Sequence, residues 1–410
     1  MRPRHLAELT LLAVAFTGLP AAVSAAAYEL HGQIDLRGVA VDSPLASFTH
    51  DGLGLLRFDE QHDGLQLGRL VLDFTGPLTQ TLRAHVTASA TADGDQNPID
   101  LTEAFVEWRP YPDSRWRWRT RLGAFYPPLS LENRAIGWES LYSLSSSAIN
   151  TWIGEETRAI GLEVAATVAG APAGRAFDLS FIAGVYGWND PMGVLIFQRG
   201  WAIHDRQTTL FGALPRPLAQ PGERDIEFFH EIDHRAGYYA GVETKWLDRH
   251  TLRYMHYDNR GDPARSNGRD DAWLTRFDSI GARLELSEQW TLIAQGLVGD
   301  TGVGGSADGR GLLIADYWSY FALGSYTSGP HRLTLRYDRM HVESVRGAEF
   351  FDSGQNAKAW TAAWMLDLSE HWQGALEAVR IDGSVTQRAL AGLPAAAVER
   401  QLQVALRYSF

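Results

Sequence analysis

The chain has 410 residues, no cysteine, and 49 acidic against 37 basic side chains, for a formal charge of −12. The missing thiols exclude disulfides, thiol catalysis and Cys-ligated metals, no cofactor motif is visible, and the acidic balance argues against a nucleic-acid partner. The 40 glycines, 14 tryptophans and 14 tyrosines favour strands, tight turns and interfacial aromatics, while past residue 27 no run approaches the roughly 18 apolar residues of a membrane helix.

Residues 1–25 open on Arg2, Arg4 and His5, pass through an apolar stretch from Leu9 to Phe16 and reach small residues from Val23 to Ala27. This order predicts a secretory signal peptide, cut after Ala25 or as late as Ala27, leaving 26–410 as one domain. Alternation organises the rest, because only a strand puts residues of period two on one face. In chain order 28–41, 65–75, 80–92, 99–110, 114–126, 157–169, 175–188 and 236–247 read as strands. They are followed by 249–259, 272–287, 290–300, 312–328, 330–342, 356–369, 371–383 and 396–410. Short links such as Gly76-Pro77-Leu78, Pro110 to Asp113, Leu247 to Arg249 and Ser328-Gly329-Pro330 follow the even strands, and long links follow nearly every odd one. An all-β, antiparallel transmembrane barrel of about sixteen strands, with both termini on the short-turn side, has this rhythm. The 93–98 link is short for the long side.

The fifth strand is the most polarised. Arg115, Arg117, Arg119 and Arg121 share one face, and Trp116, Trp118, Thr120, Leu122 and Ala124 share the other. An arginine at the middle of hydrocarbon costs about 2–4 kcal/mol, so the row is expected to look into the lumen, its charges about 7 Å apart. Arg83, Arg332 and Arg336 join it as candidate lining of an anion pathway. Arg37, Arg69, Arg253, Arg283 and Arg407 have the same inward parity, with Asp35, Asp73, Glu163, Asp178, Glu285 and Glu377 as counter-charges, which predicts a wet, transversely charged channel. Electrostatic bracing is the competing role. A simple register around Pro112 sets Glu107 opposite Arg117 and Glu103 opposite Arg121, and leaves Arg115 and Arg119 without a partner on that strand.

The link from Pro127 to Glu156 is long enough to be functional and is expected to fold inward as a constriction, bringing Glu132, Arg134, Trp138, Glu139, Asn150, Trp152 and Glu155 near the arginines. Leu122-Gly123-Ala124-Phe125-Tyr126-Pro127-Pro128-Leu129-Ser130-Leu131-Glu132 resembles the strand-to-loop segment of the phosphate-selective porin family, and Arg158-Ala159-Ile160-Gly161 resembles the start of its next strand. The resemblance implies a sixteen-stranded homotrimeric outer-membrane channel with an anion pathway. Selective members carry lysine clusters along the pore, whereas Lys245 and Lys358 are the only lysines here, so phosphate or polyphosphate selectivity is the alternative and general diffusion with anion preference the main expectation.

The link from Trp188 to Arg235 is longer still. Asp225, Glu227, His230, Glu231, Asp233 and His234 crowd its end, a set that could hold a divalent cation but is read as a solvated outer loop meeting lipopolysaccharide counter-ions. Trp108, Trp116, Trp246, Trp290 and Trp372 sit near short turns on the apolar face and predict an aromatic girdle there, with Trp360 and Tyr326 toward the other rim. The chain ends on Val398, Leu402, Val404, Leu406, Tyr408 and Phe410, alternating with polar residues. This ending resembles the closing strand of bacterial outer-membrane barrels, in which Tyr408 and Phe410 would serve as the signal read by the barrel-assembly machinery. The expected partners are thus that machinery, outer-membrane lipid and lipopolysaccharide, and small anionic solutes. No Ser-His constellation points to an enzyme; a phospholipase-like barrel, or a receptor or adhesin working through the 188–235 loop, remains a second class.

Overall fold

The computed structural model describes residues 28–93, 99–112, 114–171, 174–215 and 225–410. Residues 1–27, where a signal peptide is expected, most of the 93–98 link, Asp113 and Pro217 lie outside them. Within them sixteen antiparallel strands close into one barrel. They are β1 (Glu29–Asp42), β2 (Gly64–Pro77), β3 (Leu82–Ala90), β4 (Ile99–Trp108), β5 (Trp116–Phe125), β6 (Ala159–Val168), β7 (Phe177–Gly187) and β8 (Gly237–Trp246). The second half continues with β9 (His250–Asp258), β10 (Leu274–Glu285), β11 (Trp290–Val303), β12 (Leu313–Ser328), β13 (His331–Arg346), β14 (Gln355–Asp367), β15 (Trp372–Val385) and β16 (Ala396–Ser409).

Each strand is two-faced because its odd and even residues differ in polarity. On β16 Leu402, Val404 and Leu406 are exposed outward while Gln401, Gln403 and Arg407 are buried inward. A one-residue slip would exchange the two sets and put Arg407 outside, which pins the register. The ring closes where β1 pairs with β16, Ile34 facing Tyr408 and Ala40 facing Leu402. Gly32 and Phe410 exchange both backbone hydrogen bonds at 3.0 Å. A Cβ on Gly32 would fall 2.2 Å from the Phe410 ring, so a larger residue there would have to push that ring aside.

The aromatic girdle is present at the short-turn end, where Trp108, Trp290 and Trp372 are exposed on the outer face. Tyr326 belongs to it as well. It pairs with Trp290, their rings 5.0 Å apart, because β12 runs down toward the short turns, so its expected place at the far rim is wrong.

Inside, the loops contribute as much as the strands. The segment 126–158 folds into the lumen as expected and carries a helix, α1 (Ala148–Glu156), all of whose residues are buried. Ser147 accepts a hydrogen bond from Asn150 N and caps its start. The described part of the 188–235 link also turns inward over much of its length, against the solvated outer loop expected of it, and forms a short helix α2 (Val194–Gln198) buried beside α1. Trp152 of α1 meets Trp201, Phe277 and Tyr317 edge-on, at 5.5, 5.5 and 5.3 Å. Residues 43–59 join from above: Ile203 N donates to Leu55 O at 2.9 Å and Phe48 stacks on His204 at 4.5 Å. Strand walls and three loops thus share one apolar cluster at the long-loop end of the barrel. A side chain such as Trp152 contributes about 3–5 kcal/mol there, judged by the cost of truncating one in a core.

Candidate solute pathway

The wide interior of a sixteen-stranded barrel is divided here between a closed side and an open side. The closed side runs along β13 to β16 and on to β1 and β2. Arg407 donates to Asp35 at 2.9 Å, Arg37 binds Asp35 at 2.7 Å and Asp205 at 2.6 Å, and Arg57 binds Asp205 at 3.0 Å and Asp93 at 2.6 Å. This relay of alternating charge ties the wall to the first, second and fourth loops, and its members are almost wholly buried. Burial notwithstanding, Arg37 and Arg57 hold the Asp205 carboxyl far below the usual carboxylate range. Arg69 binds Glu139 at 2.6 Å on the same side.

Arg336 faces inward as expected but is sealed from any pathway. It binds Glu132 at 2.8 Å and Asp338 at 2.9 Å and donates to the carbonyls of Ser145 and Ser146. Asp338 accepts from Ala148 N, at the start of α1, and Glu377 accepts from Leu144 N and Ser145 N. Arg336 is therefore a staple for the third loop; removing it would leave two carboxylates buried without their counter-charge.

Glu155 joins the two inserted loops through a bidentate pair with Arg199, at 2.6 and 2.8 Å, and lies 3.1 Å from His204. Despite burial, Arg199 and then His204 keep Glu155 at about 2. Glu156 accepts from Leu195 N at 2.9 Å, Gly193 N and the Trp152 indole, but has no ion pair among the described residues, and burial pushes it up to about 7. Trp138 stacks on Tyr126 at 4.3 Å, and Arg158 covers the other face of that ring at 3.7 Å. Sequence reasoning missed Arg158, Arg57 and Glu156 as structural centres of these loops. The apolar runs Val194 to Phe197 and Trp201 to Ile203 were the available signal, since a solvated loop has no use for them.

The open side lies at the short-turn end, along β3 to β10. Arg115 and Arg117 are exposed, Arg119 and Arg121 partly so. Glu107 faces Arg121, not Arg117, because the hairpin turns four residues wider than the simple register assumed. Glu103 instead accepts from Tyr126 N. The counter-ion for the row comes from the other neighbour: Glu163 of β6 takes Arg119 at 3.0 Å, Arg121 at 2.8 Å and the Tyr239 hydroxyl at 2.8 Å. Both arginines thus share one ion-paired carboxylate, with Glu107 and Glu103 acting on them from farther off, and Arg117 has no ion pair among the described residues.

Across from this row, Arg253 is held by Glu243 and donates to the Pro128 and Ser130 carbonyls, while Arg283 meets Tyr142 at 3.2 Å and pairs with Glu285. Arg134, on a small hairpin (Asn133–Ala135 with Glu139–Ser140), is exposed with no hydrogen-bond or ion-pair partner among the described residues. Partial enclosure inside the barrel, although the side chain still reaches solvent, and then Arg283 and Arg253 lower its pKa from arginine's ordinary value. Arg332 lies over the Tyr142 ring and donates to the Leu141 carbonyl, and Arg83 pairs with Glu29 at the rim. On the other wall, at the short-turn end of β13 to β1 and below the buried charge relay, a cavity of about 530 Å³ opens beside the third loop, lined by Gln33, Glu139, Arg332, Gln373 and Arg407. Arg407 Nη2 is buried against it without a hydrogen-bond partner.

The acidic end of the fourth loop serves the fold. Glu231 accepts from Trp188 N, and Asp190, raised to about 6 by burial, accepts from Asp233 N.

No protein-family model and no curated protein matches the chain. The resemblance of residues 122–132 to phosphate-selective porins therefore extends to no family assignment. Solved structures do match. The outer membrane channel DcaP of Acinetobacter baumannii superposes with a TM-score of 0.56 at 13% identity, covering 93% of this chain and 97% of that one. The loop L8 deletion mutant of OmpT from Vibrio cholerae gives 0.54 at 9%, covering 94% and 99%. Salmonella typhi OmpF, solved with daunomycin, gives 0.54 at 11%, covering 93% and 97%. The class that this likeness and the closed ring define is the sixteen-stranded porin-like barrel, the architecture of Gram-negative outer-membrane β-barrels.

Proposed function

We propose that this barrel is an outer-membrane porin: a passive diffusion channel for small hydrophilic solutes, with a preference for anions. Barrels of this fold are typically channels rather than enzymes. The observation that carries the anion preference is the uneven pairing of the open side, where Arg117 and Arg134 have no ion pair among the described residues and Arg119 and Arg121 share Glu163. Fixed positive charge along a confined aqueous path concentrates anions and gives them successive weak sites. The three inward loops restrict the long-loop end, so solute flow depends on how firmly they are docked. Phosphate selectivity has weaker support: arginine forks can bind phosphate, but the lysine clusters of the selective porins have no counterpart in a chain whose lysines are Lys245 and Lys358.

The test is reversal potential across a planar bilayer in a KCl gradient. Arg117→Gln, Arg119→Gln and Arg121→Gln together are expected to shift it toward cation preference, and an unmoved value removes these arginines from the pathway. Replacing chloride by phosphate or polyphosphate separates general from selective conduction. The signal peptide and the homotrimer belong to the same proposal; the N-terminal sequence and native mass of the exported protein check them.

A further inference from the structure

The outer wall carries a feature that solute passage does not use. Arg339 on β13, Lys358 on β14, Arg380 on β15 and Arg400 on β16 all have the outward parity of their strands. They share a height. Arg339 and Arg380 follow the strand starts His331 and Trp372, and Lys358 and Arg400 precede the strand ends Asp367 and Ser409, each by eight or nine residues. At about 3.3 Å per residue and a tilt near 40°, that is about 20 Å above the girdle of Trp372 and Tyr408, close to the top of an apolar band about 25 Å tall. On β11 and β12 the same height is held by Val298 and Tyr320, which are apolar and exposed.

The cluster is only partly neutralised. Arg400 pairs with Asp42, and Lys358 lies 4.0 Å from Asp382. Arg380 faces Arg400 across the β15–β16 ladder and has no ion pair among the described residues. Directly beneath lies a groove of about 500 Å³, almost wholly apolar. Its floor follows one register row, Leu335 to Ala362 to Ala378 to Leu402 to Ala40, where three alanines leave a hollow beside Trp360.

We propose that this face holds a phosphorylated lipid of the outer leaflet, its phosphates on Arg380, Arg400 and Lys358 and an acyl chain along the alanine floor. Cations at the upper edge of the hydrocarbon can extend to the headgroups, arginine meets phosphate with a matched pair of donors, and basic surface beside an apolar slot answers both halves of such a lipid. The proposal rests on the barrel's outer-membrane location and is independent of what the lumen conducts.

The test is native mass spectrometry of the full mature barrel, folded in detergent and offered bis-phosphorylated lipid A, the same lipid without phosphates, or inorganic phosphate alone. The barrel is expected to retain lipid A. Dephosphorylation, or Arg380→Gln with Arg400→Gln, should cut retention about tenfold for each arginine–phosphate pair abolished, and inorganic phosphate should not compete. Should the double variant fail to fold, Ala378→Trp fills the groove and is expected to expel the lipid with both arginines in place. Equal retention by wild type and variant, or equal retention of the dephosphorylated lipid, overturns the proposal. So does self-crosslinking of Ala378→Cys, the sole cysteine in the chain, which would put a second copy on this face. Conductance recorded on the same preparations keeps failure of the channel reading distinct from failure of this one.

Discussion

Arginine does opposite work on the two sides of this lumen. Along β13 to β2, Arg37, Arg57 and Arg336 are enclosed, each facing two carboxylates, and bind loops to wall. Along β3 to β10, Arg117 and Arg134 remain wet and unpaired and supply field rather than cohesion. What differs is the number of carboxylates and backbone carbonyls the fold places around the guanidinium. A charge count of the lumen therefore says little until the partners are known.

Replacing a staple should have the largest effect. Arg336→Ala strands Glu132 and Asp338 and is expected to cost about 3–5 kcal/mol, read as a lower thermal transition on heat-modifiability gels together with higher conductance as the third loop releases. A thermal transition and conductance equal to wild type would mean that this loop is not held by that residue.

Glu156 comes next. Its folded pKa, about 7, lies above a carboxylate's ordinary value because burial disfavours the anion, so its contribution to loop docking is fully present below about pH 4.5 and is lost as pH rises through about 7. The difference corresponds to about 3 kcal/mol. Conductance should rise from about pH 5 to about pH 8 in the wild type, and Glu156→Gln should flatten that rise. A profile unchanged by the substitution would assign the pH response elsewhere, Asp190 being the neighbouring group to try.

The smallest expected effect on stability belongs to the open side. Arg117→Gln should change the thermal transition by less than the equivalent of about 0.5 kcal/mol while still moving reversal potential, because an exposed unpaired side chain holds nothing together. A large stability loss would make Arg117 a brace like Arg336 and erase the contrast.

The barrel was legible in the sequence because two solvents impose period two on every strand. The expected 312–328 is Leu313–Ser328 and the expected 371–383 is Trp372–Val385, the misses lying only at frayed ends. Pairing was less legible. Which residue faces Arg121 depends on the width of one turn, and alternation is blind to a shift of four. The third loop could be placed inside from its length, but the fourth could not, since loop burial has no period; Leu195, Ile196 and Phe197 carried that information as plain hydrophobicity. The ion pairs of the closed side, such as Arg57 with Asp205, join residues far apart along the chain and leave no local trace.

The seam between Gly32 and Phe410 has a consequence for how the molecule is made. The first strand acquires its second neighbour only from the final fourteen-residue strand, so no partial length of polypeptide owns a complete sheet. Until β16 has been made, the chain is a ribbon with two raw edges, open to aggregation and in need of escort. Once Phe410 docks on Gly32 it is a sealed hoop, and the interval between those states is when proteases and chaperones can act on it.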